Sequence, residues 1–87
     1  MKLVKIEKPN CPACNQVGAF LDNQEVSYEK WDIMGDGENS DMARKTLQKL
    51  GLFTVPVTAA VSEENNVITY VRGFNPDELA ALVRQFQ

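Results

Sequence analysis

Residues 2–24 read KLVKIEKPNCPACNQVGAFLDNQ, and this stretch decides the fold. Leu3, Val4 and Ile6, mixed with charge over the short run Lys2–Glu7, predict a strand. Pro9-Asn10 breaks it. From Cys11 onward, Cys14, Val17, Gly18 and Leu21 recur at helical spacing, with Phe20 alongside. Pro12 suits the first helical position, where its missing N–H is not needed. Asp22-Asn23-Gln24 closes the helix. A strand feeding a helix that opens with Cys-Pro-Ala-Cys frames the rest of the chain.

Beyond it, Val26, Tyr28 and Trp31 among polar residues predict a second strand over Val26–Ile33. Gly35–Asn39 is a polar turn, after which Asn39 or Ser40 is expected to cap a helix running to about Leu50. Ala43, Leu47 and Leu50 share one side of that helix, and Gly51 is its stop. Thr54-Val55-Pro56 leads into the strand Val57–Val61. Glu63-Glu64-Asn65-Asn66 is a hairpin turn, and Val67–Val71 is the returning strand. Arg72-Gly73-Phe74 then runs into Asn75-Pro76-Asp77-Glu78, a helix start with Asn as cap, Pro in the first turn and Glu three residues on. Leu79, Leu82, Val83 and Phe86 follow on its core side, while Trp31 and Tyr70 read as packing residues. The order β-α-β-α-β-β-α makes an α/β protein. Its first βαβ unit is expected to be a right-handed parallel crossover. Its hairpin must be antiparallel. The expected architecture is a four-stranded mixed sheet flanked by three helices. At 87 residues the chain has room for one domain, residues 1–87.

Composition narrows the function. The net charge of −3 offers no basic stripe for phosphates, so no nucleic-acid partner is expected. Charge interrupts the apolar residues near Met1, and no run approaches the ~20 needed to cross a bilayer, so neither a secretory signal nor a membrane partner is expected. A cytoplasmic monomer is the expectation. His is absent, and the two cysteines fall in one four-residue window. A structural disulfide stabilises by closing a long loop, and this pair closes almost none. A zinc site normally takes four Cys/His ligands, so no metal is expected. Redox chemistry remains.

That chemistry has a physical requirement. A thiolate attacks a disulfide and a thiol does not. Cys11 stands where free backbone N–H groups and the positive end of the helix dipole favour negative charge. Such positions lower a thiol pKa from about 8.5 to roughly 3.5–7.5. The spacing makes Cys11 the exposed nucleophile and Cys14, one turn deeper, the thiol that resolves the mixed disulfide. Pro12, with Ala13 the intervening pair, stiffens the turn.

With these residues in view, the chain resembles a glutaredoxin or glutaredoxin-like redoxin over essentially its full length. The resemblance implies the thioredoxin/glutaredoxin fold and a dithiol–disulfide oxidoreductase with no bound cofactor. A Cys11-Pro12-Ala13-Cys14 motif of the C-P-x-C form leans toward glutaredoxins. Thr54-Val55-Pro56 matches the family's T-V-P segment, which implies a cis proline facing the dithiol and a Val55 backbone that receives substrate as an added strand. Lys8 matches a basic residue that glutaredoxins use for the glycine carboxylate of glutathione, and otherwise reads as a solvated strand-end lysine. Lys5, in the first strand, either escapes to a sheet edge or helps a proton move near Cys14.

The last loop separates the kinds of redoxin. Glutathione-using members carry a Gly-Gly pair followed by Asp, whereas this chain has Arg72-Gly73-Phe74-Asn75-Pro76-Asp77. Its G-F-x-P-D pattern is similar to that of NrdH-type redoxins. That similarity implies reducing equivalents from thioredoxin reductase and NADPH, with ribonucleotide reductase among the disulfide-containing protein substrates. Those redoxins usually carry C-x-Q-C, a departure that keeps glutathione as the alternative reductant. Phe74 is either a core anchor or part of an apolar docking rim. A redox-switched regulatory protein is a further reading, marked by an oxidation-dependent complex without turnover. A dimer bridging an iron–sulfur cluster would be red-brown, and Pro12 and the missing Gly pair weigh against it.

Overall fold

Leu3, Val4, Lys5 and Ile6 are all buried because their strand, β1 (Lys2–Glu7), runs through the interior of the sheet. The computed structural model describes all of Met1–Gln87. After β1 come α1 (Pro12–Asn23), β2 (Glu29–Asp32), α2 (Glu38–Leu50), β3 (Val57–Val61), β4 (Val67–Arg72) and α3 (Pro76–Val83). A 3-10 turn, Arg84–Phe86, completes the chain. The sheet order is β2-β1-β3-β4. β1 and β2 are parallel and joined by α1, whereas β3 is antiparallel to both β1 and β4. This is the thioredoxin fold in its short, four-stranded form.

Side chains alternate across a strand, so the sheet carries two cores. On one face Leu3, Ala60 and Val71 pack with Val17 and Leu21 of α1 and Leu79, Leu82 and Val83 of α3. On the other, Val4, Ile6, Val57, Ala59 and Val61 pack with Trp31 and with Ala43 and Leu47 of α2. Lys5 and Thr58 are paired across β1 and β3, and alternation puts both on the α1/α3 face.

Register decides what gathers at the functional end. Ile6 pairs with Val57, and Val57 pairs with Arg72. The exit of β1, the entry to β3 and the exit of β4 therefore lie at one end of the sheet. The segments Lys8–Cys11, Thr54–Pro56 and Gly73–Asn75 all emerge there.

Several boundaries differ from the sequence reading. β2 begins at Glu29, not Val26, because it pairs with β1 only from Val4↔Glu29 to Glu7↔Asp32. Val26 and Tyr28 instead pack as half-buried side chains against the α1/α3 core. α2 starts at Glu38, capped by neither Asn39 nor Ser40. Its N-cap is Gly37, at φ 108° and with no side-chain bond, and Glu38 and Asp41 supply negative charge to the first turn. Ser40 is buried inside the helix and Leu50 is only half-buried. Trp31 is fully buried, but Tyr70 is exposed and does not pack in the core.

Candidate active site

Cys11 is the N-cap of α1, with extended backbone, and Pro12 follows as the first helical residue. The Cys14 backbone N–H donates to the Cys11 sulfur at 3.1 Å, and the Asn15 N–H donates to the Cys11 carbonyl at 3.1 Å. The outer sulfur thus serves as the helix cap. No acidic residue stands in the first turn to oppose a negative charge there. Cys11 and Cys14 form a disulfide, with Cα atoms 5.2 Å apart.

In this oxidised form the pair is more covered than the sequence reading held. Cys11 is 6% exposed and Cys14 2% exposed. The Cys11 sulfur is bonded to Cys14 and lies against the Cys14 N–H, and little of the residue reaches solvent. Of the pair, Cys11 still faces outward more. Pro12 beside it is exposed and Ala13 half-buried.

The second wall is the segment before β3. Thr54 is exposed, Val55 half-buried, and Pro56 buried, and the Val55–Pro56 peptide is cis. Val55 leans on the α2-side core. Its backbone N–H and carbonyl make no hydrogen bond within the protein. The Pro56 carbonyl accepts the Gly73 N–H at 2.9 Å, which ties this wall to the last loop.

In that loop Gly73 adopts φ 67°, a left-handed conformation that glycine takes without penalty. Phe74 stands against α1 and also reaches solvent. Its ring meets Phe20 of α1 edge-on at 6.5 Å between centroids, and the side chain is nonetheless 39% exposed. Asn75 caps α3 by accepting the Glu78 N–H. Arg72, at the end of β4, is exposed. Lys8 is exposed as well and forms no ion pair.

Lys5 does not escape to an edge. It is 4% exposed, its Nζ lies 2.7 Å from Glu7 Oε1, and it donates to the Cys14 carbonyl at 3.2 Å. Glu7, which completes this contact, was not singled out from sequence, and Gly18 entered only through the helical spacing of α1. The signal for Glu7 was its i, i+2 relation to Lys5, which puts both on one strand face. Tyr28 closes the group, its ring 5.9 Å from the Lys5 ammonium and its hydroxyl donating to Asp22 at 3.0 Å. Burial, followed by the bond to Asp22 and that carboxylate's charge, pushes the Tyr28 phenol from 10.0 up to about 12. Phe53, 96% exposed just before Thr54, also escaped the sequence reading.

A family model described as glutaredoxin matches residues 3–61. The chain is 29% identical over 87 residues to the SPbeta prophage-derived thioredoxin-like protein YosR of Bacillus subtilis strain 168, with both chains covered in full. The thioredoxin-like protein BC3987 superposes with a TM-score of 0.70 at 26% identity, covering 93% of this chain and 99% of that one. The NrdH-redoxin of Escherichia coli superposes with a TM-score of 0.72 at 20% identity, covering 94% and 95%.

Proposed function

Because this chain belongs to the glutaredoxin family, we propose that it reduces protein disulfides through Cys11 and Cys14, drawing electrons from a thioredoxin reductase and NADPH. Ribonucleotide reductase is the kind of substrate that fits.

The Cys11 thiolate attacks one sulfur of a substrate disulfide. That bond breaks, and the departing substrate sulfur takes a proton from water. The Cys14 thiolate then attacks the Cys11 sulfur, and the second substrate sulfur leaves with the electron pair. The products are a substrate dithiol and the Cys11–Cys14 disulfide, which the thioredoxin reductase returns to the dithiol. Val55 offers its unpaired N–H and carbonyl to the substrate backbone, as a strand edge would. Thr54, Arg72, Gly73 and Phe74 line the approach.

One observation carries the choice of reductant. In the last loop, where glutathione-using members carry a Gly-Gly pair, the Gly73 N–H is engaged by the Pro56 carbonyl, Pro76 has no N–H, and the Asn75 side-chain amide is held by Glu78, so these three positions offer nothing to the γ-glutamyl end of glutathione. The glutathione reading keeps one feature in its favour, an exposed and unpaired Lys8 suited to a carboxylate. The E. coli NrdH-redoxin, whose fold this chain shares, is described as a glutaredoxin-like protein with a thioredoxin-like activity profile.

Insulin reduction with thioredoxin reductase and NADPH in one reaction, and glutathione with its reductase in another, tests this. Turnover is expected in the first. Turnover in the second alone would overturn the assignment.

A further inference from the structure

Among the buried side chains Lys5 alone carries a charge, and nothing in the exchange described above uses it. Its surroundings are specific. Glu7 holds the ammonium at 2.7 Å, the Cys14 carbonyl accepts from it at 3.2 Å, and the Tyr28 ring covers it. Gly18 makes the space. A Cβ at that position would stand 3.0 Å from the Lys5 Nζ. Glycine inside a helix is unfavourable, and the gap it leaves here is filled by the ammonium. The strand and the helix thus hold a cation against the backbone of the inner cysteine.

We propose that Lys5 is a positioning residue for the resolving step: its ammonium stabilises the Cys14 thiolate, and Glu7 limits how strongly. The proposal rests on the dithiol exchange of Cys11 and Cys14. In that step the Cys14 thiol gives its proton to water. Its sulfur attacks the Cys11 sulfur of the mixed disulfide, the bond from Cys11 to the substrate breaks, and the electron pair leaves on the substrate sulfur. Lys5 keeps its protons and acts through charge. A cation nearby favours a thiolate over a thiol, and a neighbouring carboxylate opposes it.

The other groups around Cys14 do not supply this charge. Tyr28 is a neutral phenol held by Asp22. From β3 and β4 come Thr58 and Val71, both uncharged. The acidic residues of α3, Asp77 and Glu78, are exposed, as are Lys8 and Arg72.

The two members of the pair make opposite predictions, which a purely structural role does not. Reduced protein mixed with 5,5′-dithiobis(2-nitrobenzoate) in a stopped-flow instrument releases one aromatic thiolate when Cys11 attacks and a second when Cys14 resolves. The pH midpoint of the second release, relative to the first, reports Cys14. Lys5→Met should raise that midpoint by about one pH unit, slowing resolution roughly tenfold at neutral pH. Glu7→Gln should lower it. Midpoints that move in the same direction, or neither moving, overturn the proposal. If Lys5→Met fails to fold by near-ultraviolet circular dichroism, Glu7→Gln decides: a lower midpoint supports the proposal, and an unchanged or higher one overturns it. Release of a single thiolate by the unaltered protein would instead sink the dithiol exchange, and the proposal with it.

Discussion

The Gly73 backbone N–H donates to the Pro56 carbonyl at 2.9 Å, so the last loop and the segment before β3 are one unit at the end of the sheet. The bond depends on a left-handed backbone at Gly73, φ 67°. No heavy atom lies within 4 Å of where a Cβ would stand, so the cost of a side chain is conformational. Gly73→Ala should lower stability by about 1–2 kcal/mol, measured by urea unfolding. It should also slow protein-disulfide reduction. An unchanged midpoint would mean that this loop relaxes freely.

Thr58 is fully buried, and its hydroxyl has no hydrogen-bond partner in the oxidised protein. Burying an unpaired hydroxyl costs about 1–3 kcal/mol in proteins. Thr58→Val should therefore stabilise the oxidised form by about 1 kcal/mol, seen as a higher melting temperature. A clear loss of stability would show that the hydroxyl is engaged.

Asn75 accepts the Glu78 N–H at 3.3 Å, and the Glu78 carboxylate reaches back to the Asn75 side chain. Asn75→Ala should cost about 1 kcal/mol in urea unfolding, the usual worth of an N-cap. A neutral result would mean that Pro76 alone suffices to start α3.

The raised pKa of Tyr28 gives the protein an alkaline weakness. A phenol whose pKa is higher folded than unfolded adds stability that is intact below the unfolded value. That stability is lost as pH rises through the folded value. The window runs from 10.0 to about 12. Thermal unfolding should fall across that window in the unaltered protein and less so in Tyr28→Phe. Equal falls in both would assign the effect elsewhere.

The parts that were legible in the sequence are those where local rules and tertiary packing agree. β1 and α1 show a change of period from two to 3.6 with Pro12 at the join, and Asn75-Pro76 marks α3 in the same way. β2 was overextended because Val26 and Tyr28 alternate like a strand, yet Glu25 turns at φ 56° and no strand pairs with them. The start of α2 was misplaced because cap preferences favour Asn and Ser, whereas Gly37 opens the helix by backbone geometry alone. Of the site, the dithiol and the segment ending in Pro56 could be read from motifs. The surroundings of Lys5 could not, since they depend on how α1 and Tyr28 pack over β1 and on a glycine one turn beyond Cys14.

Everything proposed for catalysis requires the sulfur that caps α1 to ionise readily. The most direct measurement is thiolate absorbance in the ultraviolet against pH, on reduced Cys14→Ser protein, where Cys11 is the sole thiol. Its midpoint should fall within roughly 3.5–7.5, the range of thiols at helix starts. An ordinary midpoint, at about 8.5, would contradict the account.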